Sequence, residues 1–362
     1  MEIPTTLQEL LKRSADPNPV NIAGYGREST HKGYLSWILS TYRNKLAVEL
    51  IRALSHELPK KANWGTLEYA DCEYEQCIGA HRVDLQIKLC KDEFSPHSRL
   101  LPIELKTDSG PSGEGQFSDM TAYVDSHTEY LGCWVICLGS SSVQNHSWGE
   151  FHMITPEKIL ISWEPYYHTG PKYLRDWMDM VALEVARQRL AVEIYREYTI
   201  DHDHNCVWKY GLRNEKKHLY YYLYAQLRKY LSRDRGERSW AIYDGGHNAV
   251  MNLAKGPESW RPIVSIPGLE WFFEFNDDQF YLKLHNKSDN SDSVKQWVSH
   301  SVQLLGAVDA KDRILPMRRL NWKSEYPSLG YWKLDLSDFK TTSEQIDGII
   351  GAYGAKGVMG SK

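Results

Sequence analysis

Glu104 and Lys106 stand two residues apart in the run Leu-Leu-Pro-Ile-Glu-Leu-Lys-Thr at 100–107, and Asp84 lies in a second alternating run at 81–89. Side chains in a strand repeat every two residues, so Ile103 and Leu105 share one face and Glu104 and Lys106 the other. In the same way Val83, Leu85, Ile87 and Leu89 form an apolar face with Asp84 opposite. If the two strands pair, two carboxylates and an amine meet. Carboxylates about 4 Å apart repel by roughly 4 kcal/mol at the effective dielectric of a protein surface, and one lysine offsets only part of that. A divalent cation offsets the rest. Mg²⁺ accepts hard oxygen ligands, usually one or two carboxylates, with water and substrate phosphates completing its shell. Lys106 would then orient or deprotonate a metal-bound water, or stabilise the charge that builds on the attacked phosphorus. Those are the parts that phosphodiester hydrolysis needs. Glu-x-Lys by itself more often means two solvated side chains in a weak ion pair, so the weight falls on the Asp84 run and on the segment that follows Lys106.

The elements that must position these residues are legible on either side. After Lys106 comes a loop, Thr-Asp-Ser-Gly-Pro-Ser-Gly at 107–113. The pattern then predicts a helix over 114–126, with Gln116 and Tyr123 seven residues apart on one face, and a buried apolar strand over 130–138. Upstream, Leu35, Ile38, Leu39, Leu46, Leu50, Ile51 and Leu54 recur near helical spacing and predict one helix over 32–57, capped by Ser29 or Thr30. A first strand over 67–78 leads through Gly79-Ala80 into the Asp84 strand. The order is αβββαβ, with both acid-bearing strands inside the sheet. Arg82, two residues before Asp84 and on its face, either contacts a phosphate or pairs with a neighbouring acid.

In this order Asp84, the Glu104-Leu105-Lys106 triplet and the Gln116 to Tyr123 helix resemble the core of the PD-(D/E)xK nuclease superfamily. The stretch at 27–39, Arg-Glu-Ser-Thr-His-Lys-Gly-Tyr-Leu-Ser-Trp-Ile-Leu, is similar to the opening helix of a bacterial and phage family within it, which begins on a Glu-x-Thr-His signature. Val83 stands where the proline that names the motif is usual. The resemblance implies an α/β, restriction-endonuclease-like core with helical and small antiparallel β additions. It makes Asp84 and Glu104 ligands of Mg²⁺ (or Mn²⁺), Lys106 the catalytic lysine, Glu28 a further carboxylate supporting the metal, and Gln116 and Tyr123 residues of the active face. It further implies DNA as substrate and a role in bacterial or phage defence. The alternative is a catalytically silent protein of the same fold that binds nucleic acid or a protein partner of a defence complex.

Composition sets outer bounds. The chain has 362 residues, 42% hydrophobic and 25% charged, which describes a folded globular protein of one large or two ordinary domains. A formal net charge of −4 does not advertise a nucleic-acid binder, but a metal-containing cleft needs only a local basic surface. Local balance is more telling. Residues 208–238 carry nine Lys or Arg against three acids, among them Lys216, Lys217 and Arg228, and 311–323 carry five against one acid. These are the candidate phosphate-contacting segments, set against the plainer reading of solvated helix faces. The six cysteines form no Cys-x-x-Cys pair, and Cys133 and Cys137 sit in an apolar strand as core residues. With no targeting segment and no long apolar run, the expectation is a cytoplasmic protein with no membrane partner, and self-association is open.

The sequence divides at the level of pattern into the core at 1–145, a helical segment at 146–238 that packs on it, and an α+β region at 239–362 for recognition of substrate or partner. Thr155 before Pro156 reads as a helix cap, and 173–195 as one long amphipathic helix. The run Tyr-Tyr-Tyr-Leu-Tyr at 220–224 cannot face one way on a helix, so some rings must pack and others meet solvent or a ligand. His202-Asp203-His204 reads as a polar loop rather than a metal site. Four strand-like stretches follow, near 241–243, 262–266, 271–275 and 279–284, with a hairpin turn at Asn276-Asp277-Asp278. Residues 286–293 read as a linker and 351–362 as a frayed tail.

Overall fold

A computed structural model describes residues 1–40, 45–55, 66–111, 115–146, 148–201, 208–212, 216–231, 240–246, 248–253, 269–286, 315–316 and 326–353. The expectations placed on 202–204, 262–266, 287–293, 354–362 and nearly all of 311–323 lie outside the described residues. The fold is mixed α/β with two sheets, and the chain forms two compact units, 1–194 with 203–213 and 195–202 with 214–362. The stretch 146–238 is therefore shared between the units rather than being one segment.

In the first unit, α1 (Leu7–Ala15), α2 (Pro19–Ala23), α3 (Glu28–Ile38) and α4 (Ala47–Ala53) precede a five-stranded sheet. The single helix expected over 32–57 is thus two. The first begins at Glu28, and neither Ser29 nor Thr30 caps it, because the Thr30 hydroxyl donates from within the first turn to the Ala23 carbonyl at 3.1 Å. Strands β1 (Tyr69–Ile78), β2 (His81–Cys90) and β3 (Arg99–Lys106) form an antiparallel meander. The β1–β2 turn is only Gly79-Ala80, and Gly79 takes the positive φ of 60° that such a turn demands. Helix α5 (Gln116–Ser126) crosses over to β4 (Trp134–Cys137), which runs parallel to β3. A crossover of this kind is what parallel neighbours require. Strand β5 (His152–Ile154) adds in parallel to β4, giving the order β1-β2-β3-β4-β5.

The helix α5 buries Phe117, Met120 and Val124 against Val83, Val135 and Cys137, with Trp148 and Phe151 closing the cluster. Cys133 and Cys137 are core residues of it. Beyond the sheet, α6 (Pro156–Trp163) starts on Thr155, whose hydroxyl accepts from the Lys158 N–H at 3.4 Å, and α7 (Lys172–Arg189) and α8 (Ala191–Asp201) replace the one helix expected over 173–195. His31 ties α3 to α7: Trp177 Nε1 donates to His31 Nδ1 at 3.1 Å, and His31 Nε2 bonds the Tyr25 carbonyl.

In the second unit, α9 (Lys216–Leu231) and α10 (Phe339–Tyr353) accompany β6 (Trp240–Asp244), β7 (Ala249–Leu253), β8 (Leu269–Asn276), β9 (Gln279–Asn286), β10 (Leu315–Pro316) and β11 (Ser328–Lys333). The strands form an antiparallel sheet in the order β10-β11-β9-β8-β7-β6. The β8–β9 turn is Asp277-Asp278, with Asp277 at φ 57°. Tyr220, Tyr221, Tyr222 and Tyr224 are all buried, against the expectation that some would face solvent. The helix buries every residue from His218 to Tyr224 and exposes Lys229 and Tyr230 in its last turn, and Tyr224 satisfies its hydroxyl by donating to the Asp277 carbonyl at 2.8 Å.

Candidate active site

The site grows from the register of the meander. β2 and β3 pair from Leu89↔Arg99 up to Leu85↔Ile103, and one further step sets Asp84 opposite Glu104. There the Asp84 carboxylate takes over the bonding from the ladder. The Leu105 N–H donates to Asp84 Oδ2 at 2.9 Å. The β1–β2 register, with Tyr74↔Leu85 and Gln76↔Val83, sets Glu75 on the other side of Asp84. Three carboxylates therefore stand in a row across three adjacent strands.

Two lysines are interleaved with them. Lys106 Nζ lies 2.9 Å from Glu104 Oε1, and both residues are buried, at 6% and 5% exposure. Lys32, reaching down from α3, lies 3.1 Å from Asp84 Oδ1 and 3.0 Å from Glu75 Oε1. Burial pushes the Glu104 carboxyl above its ordinary value. Lys106 pulls it back and Asp84 adds to the rise. Burial also works against the Lys106 ammonium, but Glu104, Glu28 and Asp84 together outweigh it and hold its pKa above the usual lysine value. Lys106 is a fixed cation at neutral pH.

Glu28 opens α3, and its Oε1 accepts from the Ser109 hydroxyl at 2.9 Å and the Thr107 N–H at 3.4 Å. It bears on Lys106 electrostatically. Among the described residues no group of three or more His, Cys, Asp or Glu side chains is placed to hold a metal ion. The Glu28 carboxylate is engaged by the loop after β3.

No family model, curated protein or solved structure matches this chain.

The donor set itself still suits a hard divalent cation. Asp84 and Glu104 offer carboxylate oxygens. Gln86, two residues beyond Asp84 on the same strand face, is buried with its Oε1 lacking a hydrogen-bond partner. Buried polar atoms are nearly always satisfied, and an amide oxygen is a ligand that Mg²⁺ and Ca²⁺ accept. Asp84 and Glu104 are the residues that would hold the ion, with Gln86 next along the same strand face.

The remaining expected residues are spread more widely. Gln116 is buried in the first turn of α5. Tyr123, seven residues on, packs on the rim of the apolar cluster, stacked on His127 at 4.1 Å and set edge-on to Tyr130. Arg82 is 72% exposed and 3.8 Å from Glu75 Oε2, so of its two readings the structure shows the pairing with an acid. In the second unit, Lys217 is held by Asp244 at 2.7 Å and by the Gly246 carbonyl at 2.9 Å. Arg228 is half-buried there, which lowers its pKa. The side chain of Lys216 lies outside the described residues.

Lys32, Glu75 and Gln86 were missed as site residues from sequence. Lys32 had a signal: it follows Glu28 by four residues, so one face of α3 presents both toward the strands. Glu75 had none, since its position opposite Asp84 depends on the strand register.

Proposed function

We propose that this protein is a divalent-cation-dependent nuclease that hydrolyses phosphodiester bonds in DNA, built on a restriction-endonuclease-like αβββαβ core. The observation that carries this reading is the juxtaposition of Asp84, Glu104 and Lys106 where β2 and β3 part. An antiparallel meander followed by a crossover helix and a parallel strand is the arrangement the resemblance implies, and the first unit has it.

Each residue has a task. Mg²⁺ or Mn²⁺ held by Asp84 and Glu104 would supply Lewis acidity toward the phosphate and an activated water. Lys106, kept protonated by three acids, stabilises negative charge on the phosphoryl oxygens rather than removing a proton. Glu104 orients that ammonium, and the Leu105 N–H fixes the Asp84 carboxylate. Residues on strands hold such geometry more tightly than residues on loops. DNA as substrate and a place in antiviral defence rest on the resemblance.

The deciding assay is cleavage of plasmid and linear DNA with Mg²⁺ or Mn²⁺, with EDTA, and with Lys106→Ala and Asp84→Asn. Cutting that requires metal and is lost in both variants supports the nuclease; the same assay on RNA separates that substrate. A second reading, a silent protein that binds without cutting, is favoured by one observation: Asp84 and Glu104 each already carry a lysine. Metal-independent DNA binding with no cleavage under any condition would establish it.

A further inference from the structure

Lys32 occupies an unusual seat. It bridges two acids that face one another across β1 and β2, at 3.0 and 3.1 Å, and its side chain is 17% exposed while that of Glu75 is 57% exposed. Like charges directly opposite in a sheet destabilise it, so the ammonium is what lets Glu75 and Asp84 stand there. Glu75 also takes a left-handed φ of 48°, rare for a residue with a side chain. Backbone held in such a region marks a place where structure is maintained for a purpose.

We infer that Lys32 is a resident counter-ion for Asp84, which gives up that carboxylate when a divalent cation binds and stays tethered to Glu75. This rests on the nuclease reading, in which Asp84 is a metal ligand. A cation at Asp84 and an ammonium 3.1 Å from the same carboxylate repel each other, so the two compete. Glu75 lowers the penalty of the exchange. Lys32 already touches it, so the lysine keeps one partner and need not return to bulk water. Lys32 and Glu75 are therefore positioning residues that tune how tightly the site holds its ion, and neither touches the reacting phosphate. Without metal the two lysines neutralise Asp84 and Glu104. The folded protein then tolerates its own acidic row.

The test is Mn²⁺ affinity, measured by titration calorimetry and by the free-Mn²⁺ electron paramagnetic resonance signal, on the full chain. Lys32→Met keeps the apolar stem while removing the charge, and is expected to tighten Mn²⁺ binding by about fivefold to tenfold. Glu75→Gln leaves Lys32 with Asp84 alone and is expected to weaken binding by roughly threefold. The Lys32→Met/Glu75→Gln double variant decides whether Glu75 acts through Lys32: the Glu75 effect then vanishes in the Lys32→Met background, whereas a general field effect adds. Lys32→Gln serves the same cycle if Lys32→Met fails to give a native circular-dichroism spectrum. Unchanged or weaker binding in the Lys32 variants, or an undiminished Glu75 effect in the double variant, overturns the inference and leaves the nuclease reading standing. If neither wild type nor the Lys32 variants bind Mn²⁺, both fall together.

Discussion

Glu104 holds its charge in a place that opposes it, and Lys106 is the reason it can. Both side chains are buried, so removing one partner strands the other; for such pairs the loss is about 3–5 kcal/mol. Lys106→Met is expected to show that loss in urea unfolding at neutral pH, along with loss of cleavage. Replacing both, Glu104→Gln with Lys106→Met, is expected to recover most of the stability and none of the activity. The sign of the pH dependence follows from the Glu104 carboxyl titrating above its ordinary 4.5. A raised carboxyl contributes stability below its unfolded value and loses it as pH rises through the folded one. Lys106 is the nearest charge holding that folded value down, so its removal raises it further. The Lys106→Met penalty is thus largest near neutrality and shrinks toward about pH 4, measured by the same unfolding across pH. A penalty that grows on acidification refutes the assignment.

At the scale of elements, α3 is what brings Glu28 and Lys32 to the strands, and His31 is what anchors α3. Because Trp177 donates to His31 Nδ1, the neutral ring carries its proton on Nε2, toward the Tyr25 carbonyl. His31→Phe leaves the buried Trp177 N–H without its acceptor and is expected to cost about 1–3 kcal/mol in urea unfolding. Met120, fully buried between α5 and the sheet, is expected to cost about 2–5 kcal/mol on change to Ala, by the same measurement. Element types and turns were largely legible. Alternation in β2 and β3, the turns at Gly79-Ala80 and Asp277-Asp278, and the Thr155 cap all reflect dihedral or periodic preferences that a few adjacent residues encode. The helix breaks were not. Leu39-Ser40 and Leu190-Ala191 carry neither Gly nor Pro, and apolar residues continue at helical spacing beyond each. No breaker residue marks the end of α3 or α7.

At the scale of the whole molecule, each unit has its own sheet and its own buried core, which predicts more than one calorimetric transition. Mn²⁺ is expected to raise only the transition of the unit that carries Asp84 and Glu104, since ligand stabilises only what binds it. A single transition that Mn²⁺ leaves unmoved would contradict both the site and the independence of the units. Among the described residues no helix is long and apolar enough to cross a membrane. The sequence by itself determined which face of each strand is apolar, that Asp84, Glu104 and Lys106 lie on strands with Gln116 and Tyr123 on the helix that follows, and where the tight turns fall, because these are properties of neighbours along the chain. Only the tertiary structure decided that Glu75, Asp84 and Glu104 form one row, that Lys32 sits inside it, that the Glu28 carboxylate bonds the loop after β3, and that Tyr220, Tyr221, Tyr222 and Tyr224 are buried while Tyr230 is exposed. Those outcomes depend on register and on helix placement, which are set by the summed packing of distant segments and leave no local trace.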